Sequence, residues 1–133
     1  MIFVDTSFWI AWARADDERH QDATALMAAH GNNTLHTSNH IRGEAWTFLR
    51  RRYGHHAGVD LLDRLDRSQR LRTVFVSEEL EAEALRWLRR HDEREYSFVD
   101  ATSFALMRSL RIKRALAFDG DFEAAGFTEL RAG

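Results

Sequence analysis

Two short apolar runs that each end at an aspartate limit most strongly how this chain can fold. The run Ile2–Val4 ends at Asp5, and the run Ala115–Phe118 ends at Asp119. Short apolar runs without polar alternation are typical of strands that are covered on both faces. Stretches with helical spacing separate the strand-like runs along the chain. This alternation predicts an α/β sandwich with a central, mainly parallel sheet flanked by helices.

Helical spacing and turn residues give the remaining elements. Helices are predicted over Phe8–Arg14, Glu18–His30, Ser38–Tyr53, His56–Arg67, Ser77 to about Arg90, and Phe98–Ser109. Further strands are predicted over Thr34–His36 and Arg72–Val76. We expect Thr6 or Ser7 to cap the first helix, because a hydroxyl can accept from its free N–H groups.

Composition excludes several classes of site. The 133 residues, with no proline and no low-complexity segment, predict a single domain over 1–133. The absence of cysteine excludes disulfides, thiolate metal sites and cysteine nucleophiles. The apolar N-terminal segment carries Asp5 and lacks a basic leader, so we expect neither a signal peptide nor a membrane span. A cytoplasmic protein is the resulting expectation.

Four carboxylates stand where one site could form. Asp5 and Asp119 follow strands, and open parallel sheets bind ligands beyond the carboxyl ends of their strands. Asp100 falls in the first turn of a predicted helix, and Glu44 lies beside the apolar stripe of another. These positions predict that the four side chains converge on one edge of the sheet.

Four converging carboxylates would need a cation. Two such charges about 4 Å apart repel by roughly 4 kcal/mol at an effective dielectric constant of 20. Oxygen ligands favour Mg²⁺ or Mn²⁺, and these ions support phosphodiester hydrolysis. We therefore predict Asp5, Glu44, Asp100 and Asp119 as catalytic and metal-binding residues. Asp5 and Asp100 would hold the principal ion, with Glu44 and Asp119 completing its shell directly or through water.

Each of these residues also has an ordinary structural explanation. An aspartate after a strand often forms a turn, and an acid in a first helical turn favours the helix dipole. Asp121 could support the site or form a turn, and a hydroxyl of Thr6 or Ser7 could contact the substrate. The first helix carries apolar residues on more than one face, which predicts a subunit or partner surface; they are Phe8, Trp9, Ile10 and Trp12.

Three segments together resemble the PIN-domain nucleases, and within them the VapC-type toxins of bacterial toxin–antitoxin pairs. They are IFVDTSFWIA, TSNHIRGEAWTFLRRR and YSFVDATSFALMRSLRIKRALAFDGDFEAAGF, which together span nearly the whole chain. The third is the most specific, because SFVDA followed by a strand and FDGDF recurs in that family. The resemblance implies a PIN-like three-layer sandwich with Asp5, Glu44, Asp100 and Asp119 at the family's acidic positions. Asp121 matches a position that is often acidic.

The resemblance also implies a function and partners. VapC-like proteins are Mg²⁺- or Mn²⁺-dependent endoribonucleases that cut tRNA or ribosomal RNA and thereby inhibit translation. They usually form homodimers and are inhibited by a VapB-like antitoxin, whose apolar anchor would suit the aromatic first helix here. One of Arg50, Arg51 and Arg52 could contact the RNA backbone if Glu44 lies in the cleft.

Receiver domains and aspartyl phosphatases also place acids at strand ends around magnesium. Receiver domains need an acidic pair after the first strand and a lysine after the last, and aspartyl phosphatases need a second aspartate where Ser7 stands. Both match this sequence poorly. A non-catalytic RNA-binding or protein-interaction module on the same fold, and a PIN-like structure-specific DNA nuclease, are the two alternatives.

Overall fold

The computed structural model describes residues 1–133 and contains one five-stranded sheet. The strands are β1 (Ile2–Val4), β2 (Leu35–Ser38), β3 (Leu71–Val74), β4 (Arg114–Leu116) and β5 (Thr128–Glu129). Their order across the sheet is β3-β2-β1-β4-β5, and every neighbouring pair is parallel. The predicted α/β fold is therefore confirmed, and the sheet is parallel throughout.

Seven helices connect the strands and cover the sheet. They are α1 (Thr6–Ala13), α2 (His20–His30), α3 (Asn39–Tyr53), α4 (His55–Arg67), α5 (Glu78–Arg90), α6 (Phe98–Leu110) and α7 (Asp121–Ala124). The chain moves outward from β1 to β3 and then returns to the other side of β1 for β4 and β5. Because such crossovers are right-handed, this reversal places α1 to α4 on one face of the sheet and α5 to α7 on the other. None of these helices is long and apolar enough to span a membrane.

Most predicted helices agree with the structure to within two residues. The helices after Ser38 and Ser77 begin as expected, because each serine side chain accepts a hydrogen bond from the backbone N–H three residues later. The first helix differs. Its cap is Asp5, whose carboxylate accepts from the Ser7 N–H, and not Thr6 or Ser7 as predicted. Thr6 and Ser7 lie inside the helix, and their hydroxyls donate to the carboxylates of Glu44 and Asp5.

The surface predicted on the first helix is largely covered within the chain, although Ile10 and Trp12 remain partly exposed. Phe8 and Trp9 are 0% and 2% exposed, because α1 has α2 and α3 beside it and Trp9 contacts Thr37 of the sheet. The ring of Trp12 is covered by the guanidinium of Arg64, 3.8 Å from the ring centroid. The larger exposed apolar side chains include Phe48, Phe75 and Phe98, which lie outside α1. The sequence pattern was misleading because α1 is central in its layer and is buried on several faces.

Two features near the C-terminal part differ from the predictions. The strand predicted over Ala115–Phe118 ends at Leu116, since the Phe118 N–H donates to the Ser7 hydroxyl, at 3.0 Å, and not to a neighbouring strand. Asp119 therefore follows a short link and not the strand itself. The edge strand β5 was not predicted, because two residues are too few to show a period.

Candidate active site

The candidate site lies where β1 and β4 meet. These two strands are neighbours in the sheet, although the chain leaves them towards opposite sides. In open parallel sheets this reversal point leaves a crevice at the carboxyl ends of the strands. The Asp5 N–H donates to the Leu116 carbonyl at 3.0 Å, so Asp5 is fixed at that edge. Its side chain is only 3% exposed.

Ser7 joins the ends of the two strands. Its hydroxyl donates to the Asp5 carboxylate at 2.8 Å and accepts from the Phe118 N–H at 3.0 Å. The Ser7 N–H donates to the same carboxylate oxygen of Asp5 at 3.2 Å. One side chain therefore orients Asp5 and holds the segment that leads to Asp119. The sequence left open whether the Ser7 hydroxyl caps the helix or contacts the substrate. In the structure it holds these two segments together.

Asp100 enters the site from the opposite face of the sheet. It lies in the first turn of α6, in a capping box with Ser97. The Ser97 N–H donates to Asp100 Oδ2 at 2.9 Å, and the Asp100 N–H donates to the Ser97 hydroxyl at 3.0 Å. Asp100 is 8% exposed. The helix start thus fixes the carboxylate beside the sheet edge, so the capping and site roles are compatible.

Glu44 lies at the border of this cluster. The Thr6 hydroxyl donates to Glu44 Oε1 at 2.5 Å, which ties α3 to the residue after Asp5. Glu44 is exposed and lines a groove of about 840 Å³ between α3 and the start of α6. Arg51 and Arg52 line the same groove, whereas Arg50 does not.

A turn at residues 119–121 brings two further carboxylates together. Gly120 adopts φ 81°, a conformation that favours glycine, and the Asp121 N–H donates to Asp119 Oδ1 at 3.1 Å. Arg94 binds this turn from the segment between α5 and α6. Its Nε donates to Asp121 Oδ1 at 2.9 Å, and a terminal nitrogen donates to the Asp119 carbonyl at 3.3 Å.

The carboxylates of the cluster perturb one another. Burial, with the charge of Asp119 as the next cause, raises the pKa of Asp5 to about 8, although hydrogen bonds from Ser7 act in the opposite direction. Burial also raises the pKa of Asp100 to about 6, and the charges of Asp121 and Asp119 add to this effect. The pKa of Asp119 is raised because the protein excludes water from part of its carboxylate. The cluster therefore lacks the positive charge that would stabilise its carboxylates in the ionised form.

A divalent cation fits the donor atoms of the cluster. Asp100 and Asp119 each offer a carboxylate oxygen within 4.8 Å of the other, and Asp121, whose side chain is paired with Arg94, lies within the same distance of both. Oxygens on opposite sides of a Mg²⁺ ion lie about 4 Å apart, so binding requires only a small closure of the group. The donors are all oxygen, which favours a hard cation such as Mg²⁺ or Mn²⁺ over zinc.

Three of the four acids that the sequence predicted to converge lie near one another in the structure. Asp121 joins them, and Glu44 lies at their border. Asp5, Asp100 and Asp119 lie close enough for their charges to interact, whereas Glu44 borders the cluster through Thr6. Asp121 is closer to the centre than the sequence indicated. Arg94 was not identified, because an arginine in a loop has no period to mark it. The one clue in the sequence was that Arg94 lies three residues before Ser97, close to the start of the helix that carries Asp100.

Comparison with known proteins gives concordant matches. The family model for the PIN domain matches residues 2–128. The 23S rRNA-specific endonuclease VapC20 of Mycobacterium tuberculosis is 55% identical over 131 residues, which cover 98% of each chain. The crystal structure of Mycobacterium tuberculosis VapC20, described as a sarcin-ricin loop cleaving toxin, superposes with a TM-score of 0.92 and 53% identity. That match covers 98% of this chain and 99% of the other.

Proposed function

This chain belongs to the PIN-domain family and is an endoribonuclease toxin of the VapC type, and on that premise we propose that it cleaves 23S ribosomal RNA in the sarcin–ricin loop. The identity of 55% over nearly the full length to an enzyme of that specificity supports the choice of substrate. We propose that residues 1–133 act as one PIN domain in the cytoplasm, where this RNA is found.

The observation that carries the chemistry is a cluster of acids, two of them buried, beside the ends of β1 and β4. Asp5 and Asp100 are 3% and 8% exposed, and Arg94 contacts Asp121 but neither of these carboxylates. We propose that Asp5, Asp100 and Asp119, with Glu44 at the border, hold Mg²⁺ or Mn²⁺. Such an ion supplies positive charge to the scissile phosphate and lowers the pKa of a water molecule.

The residues of the chain position the reacting groups. Ser7 keeps the Asp5 carboxylate turned into the site, and the capping box does the same for Asp100. Hydrolysis forms a bond between phosphorus and a water oxygen and breaks the bond to the 3′ oxygen, which takes up a proton. The products are a 3′-hydroxyl and a 5′-phosphate.

The substrate proposal is tested with intact ribosomes and with synthetic stem–loops. We expect one cut in the sarcin–ricin loop, mapped by sequencing 5′ ends, which is lost in chelator and restored by Mn²⁺. A DNA stem–loop of the same sequence serves as the matched control and should remain uncut. Binding without cutting would favour the non-catalytic module, and equal cutting of the DNA would favour a structure-specific DNA nuclease.

We further propose that a second copy of the chain covers the aromatic surface around α3, and that a VapB-like antitoxin inhibits the toxin. Phe48 and Phe98 line one groove and are 40% and 39% exposed. Phe75 is 65% exposed, and its ring lies 5.6 Å from the Arg42 guanidinium of α3. Exposed aromatic residues on or beside one helix are typical of a subunit interface.

Light scattering after size exclusion tests the dimer. We expect a dimer for the natural chain and a monomer for Phe48→Glu and Phe75→Glu, because a buried charge opposes association. Gln21→Glu, at an exposed position on α2, is the charge-matched control and should remain dimeric. A monomeric natural chain, or dimers in both phenylalanine variants, would contradict this proposal.

A further inference from the structure

Arg94 makes two contacts that together span the turn at the acidic cluster. Its Nε donates to the side chain of Asp121, and another nitrogen of the same guanidinium donates to the backbone carbonyl of Asp119. Gly120 lies between these two contacts, and a Cβ atom built on it would lie 3.5 Å from the guanidinium. The turn and the arginine therefore fit closely against each other.

These contacts have little value for overall stability. The Arg94 side chain is 42% exposed, so solvent screens its ion pair with Asp121 and the pair adds little to the stability of the whole chain. Their geometry matters in a different way, because Asp119 must face Asp5 and Asp100 for the cluster to bind a cation. The planar fork of an arginine can hold two points at once, whereas a lysine offers a single nitrogen.

We propose that Arg94 is a positioning residue that clamps the 119–121 turn, and that Asp121 is the counter-ion of Arg94 and not a ligand of the metal. This inference rests on the proposed metal-dependent nuclease function. In this proposal Asp121 supports Asp119 through Arg94 and does not bind the metal. Its carboxylate nevertheless lies within 4.8 Å of those of Asp100 and Asp119.

Simple electrostatics and the clamp predict opposite effects on cation binding. Removing the positive charge of Arg94 would, through charge alone, strengthen the attraction of the acidic cluster for Mn²⁺. The clamp predicts weaker binding, because Asp119 loses its support. Loss of an outer-sphere partner typically costs about 10–100-fold in metal affinity.

The experiment measures Mn²⁺ affinity by electron paramagnetic resonance in the intact protein, without RNA. We expect Arg94→Gln and Arg94→Lys each to weaken binding by about 10-fold or more, within the range for outer-sphere partners. Arg94→Lys keeps the positive charge but replaces the forked guanidinium by a single ammonium group. Natural Mn²⁺ affinity in this variant would contradict the proposed clamp. Unchanged or tighter binding by Arg94→Gln would overturn it as well. Arg131→Gln, which breaks an exposed pair with Glu123, is the control and should bind normally.

A double-mutant comparison decides the role of Asp121. If Asp121 is not a ligand, adding Asp121→Asn to Arg94→Gln should weaken Mn²⁺ binding by less than about fivefold, because it then removes only a nearby negative charge. A further loss of about 10-fold would make Asp121 a ligand and would overturn that part of the proposal. We also expect excess Mn²⁺ to restore the cleavage rate of Arg94→Gln.

The same titration separates this proposal from the proposed function. If the natural chain binds Mn²⁺ and the Arg94 variants bind it equally well, the clamp is wrong and the nuclease site stands. If the natural chain binds no Mn²⁺, the metal-dependent site fails and the clamp fails with it. Melting temperatures in chelator should change little in the Arg94 variants, which shows that they remain folded.

Discussion

Asp5→Asn should reduce RNA cleavage by more than the roughly 100-fold that loss of an outer-sphere partner costs. Asp5 is the most buried of the clustered acids and faces the charges of both Asp119 and Asp100. Asparagine has nearly the same shape and can still accept the hydrogen bonds from Ser7. The substitution therefore removes a charged ligand from the proposed centre and leaves the local structure in place.

Single-turnover cleavage of the ribosomal stem–loop at saturating Mn²⁺ measures this effect. Excess Mn²⁺ should not restore the rate, in contrast to the expectation for Arg94→Gln. Asp66→Asn, an exposed position on α4, removes the same charge far from the acidic cluster in sequence and should cleave normally. An Asp5→Asn protein that is folded and fully active would show that Asp5 is not part of the reaction.

The second large effect is a loss of stability as the pH rises in the absence of divalent cations. The pKa of Asp5 is about 8 in the folded chain, compared with an ordinary value of 3.8. Between these values the folded state holds a proton that the unfolded state releases. Stability from this group is therefore greatest at low pH and falls as the pH approaches 8.

The expected magnitude is large enough to measure by thermal unfolding. Each unit of pKa difference corresponds to about 1.4 kcal/mol, so the fall from pH 5 to 8 amounts to a few kcal/mol. For a chain of this size the melting temperature in chelator should fall by on the order of 10 °C. Mn²⁺ should reverse the fall, because a bound cation favours the charged carboxylates.

Asp5→Asn provides the internal control for the pH experiment. The amide does not titrate, so the variant should lose most of this pH dependence and should melt at a higher temperature than the natural chain at pH 8 in chelator. Parallel curves for the two proteins would mean that Asp5 does not carry the effect. Asp100, with a pKa of about 6, should leave a smaller residual slope in the variant.

Local patterns in the sequence were sufficient to single out two of the proposed site acids. Asp5 follows an apolar run, and Asp100 falls in the first turn of a helix that its apolar spacing predicts. Such signals depend only on neighbours in the chain. The expected convergence then followed from the rule that parallel strands present their carboxyl ends at one edge.

The contacts that complete the site could not be predicted in this way. The bond between Ser7 and Phe118 joins residues separated by 111 positions, and the bond between Arg94 and Asp121 joins residues separated by 27. Neither pair has a spacing that a helix or strand would impose. The error about α1 has a related cause, because the burial of its aromatic residues depends on helices that come later in the chain.

The hydrogen bond between Ser7 and Phe118 has a consequence for how the enzyme becomes competent. Pairing between segments so distant in sequence is intrinsically slow, since a long loop must close before the contact forms. A partly folded chain that has formed only its first helices therefore has no correctly held pair of carboxylates at the β1 and β4 ends. Catalytic competence should arise in one cooperative step with closure of the central strands, so that incomplete intermediates are harmless to RNA.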